Sequence, residues 1–191
     1  MAEQSLGGKT VAFLATDGVE QAELTGPREA VERAGAETVL ISLQTGEIQA
    51  FQHLDHGDRF TVDRTVADAD PADFDALVLP GGVANGDLLR GHPGAVAFVR
   101  EIATAGKPVA AICHAPWVLI EAHLVRDRRM TSFATLKTDL RNAGAEWVDQ
   151  EVVVADRGGF PLITSRTPDD VPAFSARFIE QVALQAKAPT A

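Results

Sequence analysis

Gly106-Lys-Pro-Val-Ala-Ala-Ile-Cys-His-Ala-Pro116 decides how this chain is read. Pro108–Ile112 is a short, continuous apolar run, the pattern of a strand buried on both faces. Helical spacing follows from His114 to about Ala122, so Cys113 stands where a strand turns into a helix. A strand-to-helix nucleophile elbow needs small residues two before and two after the nucleophile, because the two backbones nearly collide there. Ala111 and Ala115 meet that need. The elbow sets the Cys113 sulfur at a helix N-terminus, where unpaired N–H groups favour thiolate and a depressed pKa is expected. A lone cysteine after an apolar run is more often a buried structural residue. Small flanks, an adjacent His114 and the strand-end position instead favour a nucleophile.

Working outward, the same alternation recurs. Thr10–Ala15 is another buried strand, and helical apolar positions follow through Leu24, Ala30, Val31 and Ala34 to Gly35, with Pro27 expected to kink or restart that helix. Thr38–Ser42 and Ala76–Leu79 read as strands, the latter running into Pro80-Gly81-Gly82. Ala95–Ala103 is an amphipathic helix closed by Gly106, and a helix at Leu136–Asn142 ends near Gly144. Glu151–Val154 and Leu162–Ser165 read as a hairpin across Gly158-Gly159. Thr167-Pro168-Asp169-Asp170 starts a last helix, with an N-cap hydroxyl, proline at N1 and acids at the positive dipole end. Strands alternating with helices predict an α/β sandwich, a mainly parallel sheet with helices on both faces, whose ligands bind at strand C-terminal ends. Asp17–Glu23, Gly81-Gly82 and Cys113-His114 all fall at such ends.

Each of these segments supplies chemistry. Two glycines let the backbone approach a reacting group, and the Gly82 and His114 amides together would form an oxyanion hole. Read alone, Gly-Gly is a tight turn. Glu20 and Glu23, three apart at a helix opening, would share a face, and one could reach the cysteine. Acids in a first turn are more commonly dipole partners. A protonated carboxyl could donate to sulfur, whereas a charged one would raise the thiol pKa. The histidines stand at 53, 56, 92, 114 and 123. None comes late in the chain, so neither a cysteine-triad amidotransferase nor the Ser-Asp-His order of α/β-hydrolases fits. His114 is left as the obvious base. His53-Leu-Asp-His56 holds metal-ligand residue types in what reads as a polar loop; neither metal nor cofactor is expected.

The chain has 191 residues, 46% of them hydrophobic and 23% charged, with a formal charge of 17 − 27 = −10. Length and composition suit one globular domain over residues 1–191, with ends at 1–8 and 187–191 expected to fray. The acidic field repels phosphate backbones, so nucleic acid is not an expected partner. No apolar run nears the roughly 20 residues of a membrane span, and residues 1–9 lack the apolar stretch of a signal peptide. With Cys113 as the sole cysteine, no internal disulfide exists, and a cytoplasmic location is expected.

Five stretches now make a resemblance plain. They are Ala15–Pro27 (ATDGVEQAELTGP), Phe74–Gly82 (FDALVLPGG), Gly106–Pro116, Asn142–Asp149 (NAGAEWVD) and Thr164–Asp170 (TSRTPDD). In order, and over nearly the whole chain, they resemble the intracellular protease PfpI family. It lies within the ThiJ/PfpI superfamily, which includes the human parkinsonism-associated protein. The resemblance implies a flavodoxin-like three-layer sandwich, assembled as a homodimer or a hexamer of dimers. It implies Cys113 as nucleophile, His114 beside it and a glutamate against the sulfur. Glu23, four before the helix proline, matches the acidic partner of several branches, and Glu20 matches a second recurrent acid. Asp87 matches the acid that a neighbouring subunit lends to the protease-like site. Ala115 stands where the family usually has Gly, and Phe133 where Tyr or Trp is common; the chain contains no Tyr.

One fold carries many functions. Members are described as cysteine peptidases, as glyoxalases or deglycases acting on methylglyoxal adducts, and as chaperones or stress proteins with an oxidisable cysteine. The expectation is a stress-response cysteine hydrolase or deglycase acting on a peptide or small carbonyl compound, with a non-enzymatic redox sensor or chaperone as the alternative.

Overall fold

The computed structural model describes residues 5–185. In chain order the elements are β1 (Thr10–Leu14), β2 (Val19–Glu20), α1 (Gln21–Arg33), β3 (Glu37–Ser42), β4 (Glu47–Gln52), β5 (Asp55–Thr61), β6 (Arg64–Thr65) and β7 (Ala76–Leu79). The second half comprises α2 (Val83–Arg90), α3 (Pro93–Thr104), β8 (Val109–Ile112), α4 (Pro116–Glu121), β9 (Arg129–Met130), α5 (Lys137–Asn142), β10 (Glu146–Trp147), β11 (Val152–Ala155), β12 (Leu162–Ser165) and α6 (Val171–Gln185). Seven strands form the central sheet in the order β11-β12-β8-β7-β1-β3-β6. All its pairings are parallel except the edge hairpin β11–β12. This is the predicted α/β sandwich.

Successive side chains of a strand point to opposite faces, and the strands use both. Ala12, Leu14, Leu77, Leu79, Val109 and Ala111 face the layer of α2–α5. Val11, Phe13, Ala76, Val78, Ala110 and Ile112 face α1 and α6. The apolar runs are continuous because each strand buries both rows. α1 and α6 meet closely: a Cβ on Gly26 would press on Val171.

Several expectations are corrected. α1 passes through Pro27 as one helix that neither stops nor restarts. Thr167 makes no capping bond through its hydroxyl; Pro168–Asp170 is a 3-10 turn leading into α6, and the Asp170 carboxylate accepts from the Arg166 N–H at 3.0 Å. Of the ends expected to fray, residues 1–4 and 187–191 lie outside the described residues. Residues 5–8 are held instead, because Leu6 is buried and its N–H donates to Ala34 O at 2.7 Å. The segment read as a polar loop around His53 is the tight turn of the β4–β5 hairpin, which joins β2 in a second, three-stranded sheet.

β8, β7 and β1 are adjacent, so the three chemistry-bearing segments at their C-terminal ends converge.

Candidate active site

Cys113 leaves β8 in the left-handed region, at φ 62°. A non-glycine residue there costs about 1–2 kcal/mol and persists only where its surroundings fix it. Here the Cys113 N–H donates to Ser165 O at 3.1 Å, and its carbonyl accepts from the Phe133 N–H at 2.9 Å. The sharp turn of the elbow is thus locked from β12 and from the segment after β9. It leaves Cys113 6% exposed.

The expected depression of the thiol pKa is corrected. α4 starts at Pro116, not His114, and has six residues, so little helix dipole acts on the sulfur. The backbone N–H groups of Gly82 and His114 do bond to it and favour thiolate. Burial outweighs them and, with the nearby Glu23 carboxyl, pushes the Cys113 thiol well above its ordinary value. Those two amides are the pair named from the sequence as an oxyanion hole.

The Gly81-Gly82 turn is glycine by necessity. A Cβ on Gly81 would overlap Glu23 Oε2, the Cys113 Cβ and Ile112 O. Gly82 sits at φ 95°, and a Cβ there would run into the backbone of Gly18 and Glu20. Asn85, fully buried on α2, ties the turn down. Its Oδ1 accepts from the Thr16 N–H at 2.8 Å, and its Nδ2 donates to Pro80 O at 2.9 Å and Gly81 O at 3.0 Å.

Glu20 and Glu23 part company. Glu20 precedes α1 in extended conformation, and its carboxylate accepts from the His53 N–H at 3.0 Å, fastening the β4–β5 turn. Glu23 is wholly buried, and Oε2 accepts from the Gly81 N–H at 2.9 Å. Its Oε1 has no hydrogen-bond partner of ordinary geometry. Burial pushes the Glu23 carboxyl up to about 8, against weaker downward pulls from the Cys113 thiol and the Gly81 N–H. At neutral pH Glu23 therefore keeps its proton, beside the sulfur.

His114 Nδ1 lies 3.1 Å from Cys113 Sγ, and Nε2 lies 3.5 Å from Thr135 Oγ1. Its ring stacks on Phe133 with centroids 4.7 Å apart and tilts against Trp117 at 5.2 Å. Burial lowers its pKa, so the imidazole is neutral and free to accept a proton. Asp87 stands on the exposed side of α2, bound to the guanidinium of Arg90 (2.9 Å to Nε). In this chain it makes no bond to His114. His56 packs edge-on against Phe51, away from any ligand cluster.

Cys113, His114, Glu23, Glu20 and Asp87 all line one cavity of about 1080 Å³. Thr135, Trp117 and Asn85 belong to the site or its frame and escape a reading of the sequence. Thr and Trp carry no positional signature, and Asn85-Gly86 reads as a turn.

The DJ-1/PfpI family model matches residues 9–181. The chain is 44% identical over 167 residues to "Protein/nucleic acid deglycase 2" of Escherichia coli (strain K12), covering 87% of this chain and 94% of that one. With the same coverage of both chains it is 41% identical to "Putative cysteine protease YraA" of Bacillus subtilis (strain 168). It is 40% identical over 168 residues to "General stress protein 18" of the same bacterium, covering 88% and 94%. Among solved structures it is similar to a two-domain protein of Anabaena variabilis containing DJ-1/ThiJ/PfpI-like and ferritin-like domains. That match has a TM-score of 0.85 and 34% identity, over 95% of this chain and 50% of that one. With the Cys113 elbow, the buried Glu23 and these matches together, the chain belongs to the DJ-1/PfpI family.

Proposed function

We propose that the protein is a stress-related deglycase or glyoxalase that uses Cys113 on the carbonyl of methylglyoxal or its adducts. The observation that carries this reading is the wholly buried Glu23 carboxyl, with one oxygen unpartnered, beside the thiol, where burial favours its protonated form. As Cys113 sulfur adds to the aldehyde carbon, the thiol proton passes to His114 Nδ1. The carbonyl oxygen becomes hydroxyl under the amides of Gly82 and His114, taking its proton from Glu23. Glu23, now carboxylate, removes the proton from the carbon bearing sulfur. Protonation of the neighbouring carbonyl oxygen by His114 gives an enediol. Glu23 returns its proton to the adjacent carbon while the hydroxyl on the sulfur-bearing carbon gives its proton to His114, which yields a thioester of lactate, and water then releases lactate and the free thiol. One carbon is oxidised and its neighbour reduced, so no outside oxidant is needed.

A cysteine peptidase is the second reading, favoured by the 3.1 Å contact between His114 and Cys113. It is the weaker one because Thr135, not a carboxylate, faces the other ring nitrogen; Asp87 of a neighbouring copy would have to supply one. The redox-sensor alternative is weaker still, since a buried thiol with a raised pKa is a slow target for peroxide.

Lactate formation from methylglyoxal tests the proposal. Cys113→Ser should fall to background, and Glu23→Gln should lose about 10²–10⁴-fold, the usual contribution of general acid–base groups. No lactate from the native protein, with cleavage of a fluorogenic peptide, would transfer the assignment to the peptidase. We further propose that the protein works as a homo-oligomer in the cytoplasm, where its one thiol stays reduced. Among the described residues no helix is long and apolar enough to cross a membrane.

A further inference from the structure

The residues around the cavity divide sharply by charge. Four carboxyl-bearing side chains line it, from Glu20, Glu23, Asp87 and Asp169, and no lysine or arginine does. His53 and His114 are its only basic side chains. Asp87 is matched by Arg90. Asp169 is exposed and makes no ion pair among the described residues, and Glu20 has only the backbone N–H and the distant ring of exposed His53. The helix start on the rim could attract anions, but its first turn carries Asp169 and Asp170. Independently, buried Glu23, which lines this cavity, has one oxygen with no partner, a polar group left for a ligand to satisfy.

We propose that the cavity selects substrates carrying positive charge beside the reacting group. Adducts on peptide side chains flanked by lysine or arginine would enter, and adducts bearing carboxylate or phosphate would be turned away. The proposal rests on the carbonyl-repair reading of the site and names the substrate class that site takes. A cleft walled by one sign of charge concentrates the opposite sign, and salt screens the effect. Glu20 and Asp169 would set this preference from the rim without touching the reacting atoms.

Cys113 is the only cysteine in the chain, so its labelling reports the local field directly. A cationic (trimethylammonioethyl) and an anionic (sulfonatoethyl) methanethiosulfonate each form a disulfide with the thiolate and release methanesulfinate. Their rate ratio, divided by the same ratio for 2-mercaptoethanol, should exceed about fivefold at low salt and shrink at high salt. The Glu20→Gln, Asp169→Asn double variant should lose most of it. A normalised ratio at or below one, or one unchanged in that variant, overturns the proposal. In parallel, kcat/KM is compared for the methylglyoxal hemithioacetals of acetyl-Arg-Cys-Arg-amide and acetyl-Glu-Cys-Glu-amide. The Arg-flanked adduct should react several-fold faster at low salt, and equal rates would also overturn selection by charge. If the labelling preference holds and neither adduct is turned over, the carbonyl-repair reading fails while the field of the cavity stands.

Discussion

A carboxyl with no exposed surface and one N–H donor has little to hold its charge, and for Glu23 that shifts titration from 4.5 to about 8. The folded state therefore binds a proton that the unfolded state has released. Stability from this group is complete below pH 4.5 and is lost as pH rises through 8; the linkage amounts to at most about 5 kcal/mol. Cys113, also raised, has the same sign at higher pH. His114, lowered by burial, has the opposite sign and costs stability as pH falls below its ordinary value near 6.5. The difference between native protein and Glu23→Gln isolates the carboxyl. From pH 5 to pH 8 the urea midpoint of the native protein should fall steadily relative to that of the variant, the His114 contribution being common to both. Parallel curves would show that Glu23 is charged in the folded state. The sequence carried this residue only as one of a pair. Three-residue spacing cannot reveal that Glu20 sits outside the helix, fastening a hairpin, while Glu23 lies under the Gly81 amide.

Among the elements, those whose apolar rows are both buried were legible. β1, β7 and β8 read as strands because every residue that packs on a helix layer is hydrophobic. The β4–β5 hairpin was not. Only Ile48 and Ala50 of β4 are buried, and β5 is mostly exposed, so polar residues mask its alternation. α2 was missed for another reason. It has no side-chain N-cap, and Asn85-Gly86 within it is a turn signal. Both residues are there for the site: a Cβ on Gly86 would crowd His114 O at 2.9 Å, and Asn85 binds the ends of β1 and β7. Asn85→Ala would orphan the Thr16 N–H and the Pro80 carbonyl and leave the Gly81 carbonyl with the Glu20 N–H alone. It should cost about 2–4 kcal/mol in urea denaturation and, by loosening the Gly81-Gly82 turn, slow the labelling of Cys113. A change within about 0.5 kcal/mol, the range of ordinary surface substitutions, would mean that water replaces the asparagine.

At the scale of the whole molecule, a charge of −10 on each chain opposes self-association, yet the surface near the cavity carries exposed apolar side chains. Val83 and Leu88 are about half exposed on α2, on either side of Asp87, and Leu54 at the hairpin tip is 92% exposed. Apolar side chains gathered beside a cavity favour a contact surface, and a two-fold dimer is the commonest way to cover one. Light scattering at micromolar concentration should give a mass at or above twice 20.3 kDa. Because like charges repel across the contact, association should strengthen as salt screens them. Leu88→Asp adds one more negative charge at the apolar contact and should yield monomers. If Asp87 of one copy orients His114 of another, those monomers should lose turnover while Cys113 still takes up the neutral methyl methanethiosulfonate at the native rate. Monomers with full turnover would remove Asp87 from the reaction and leave its bond to Arg90 as its whole role.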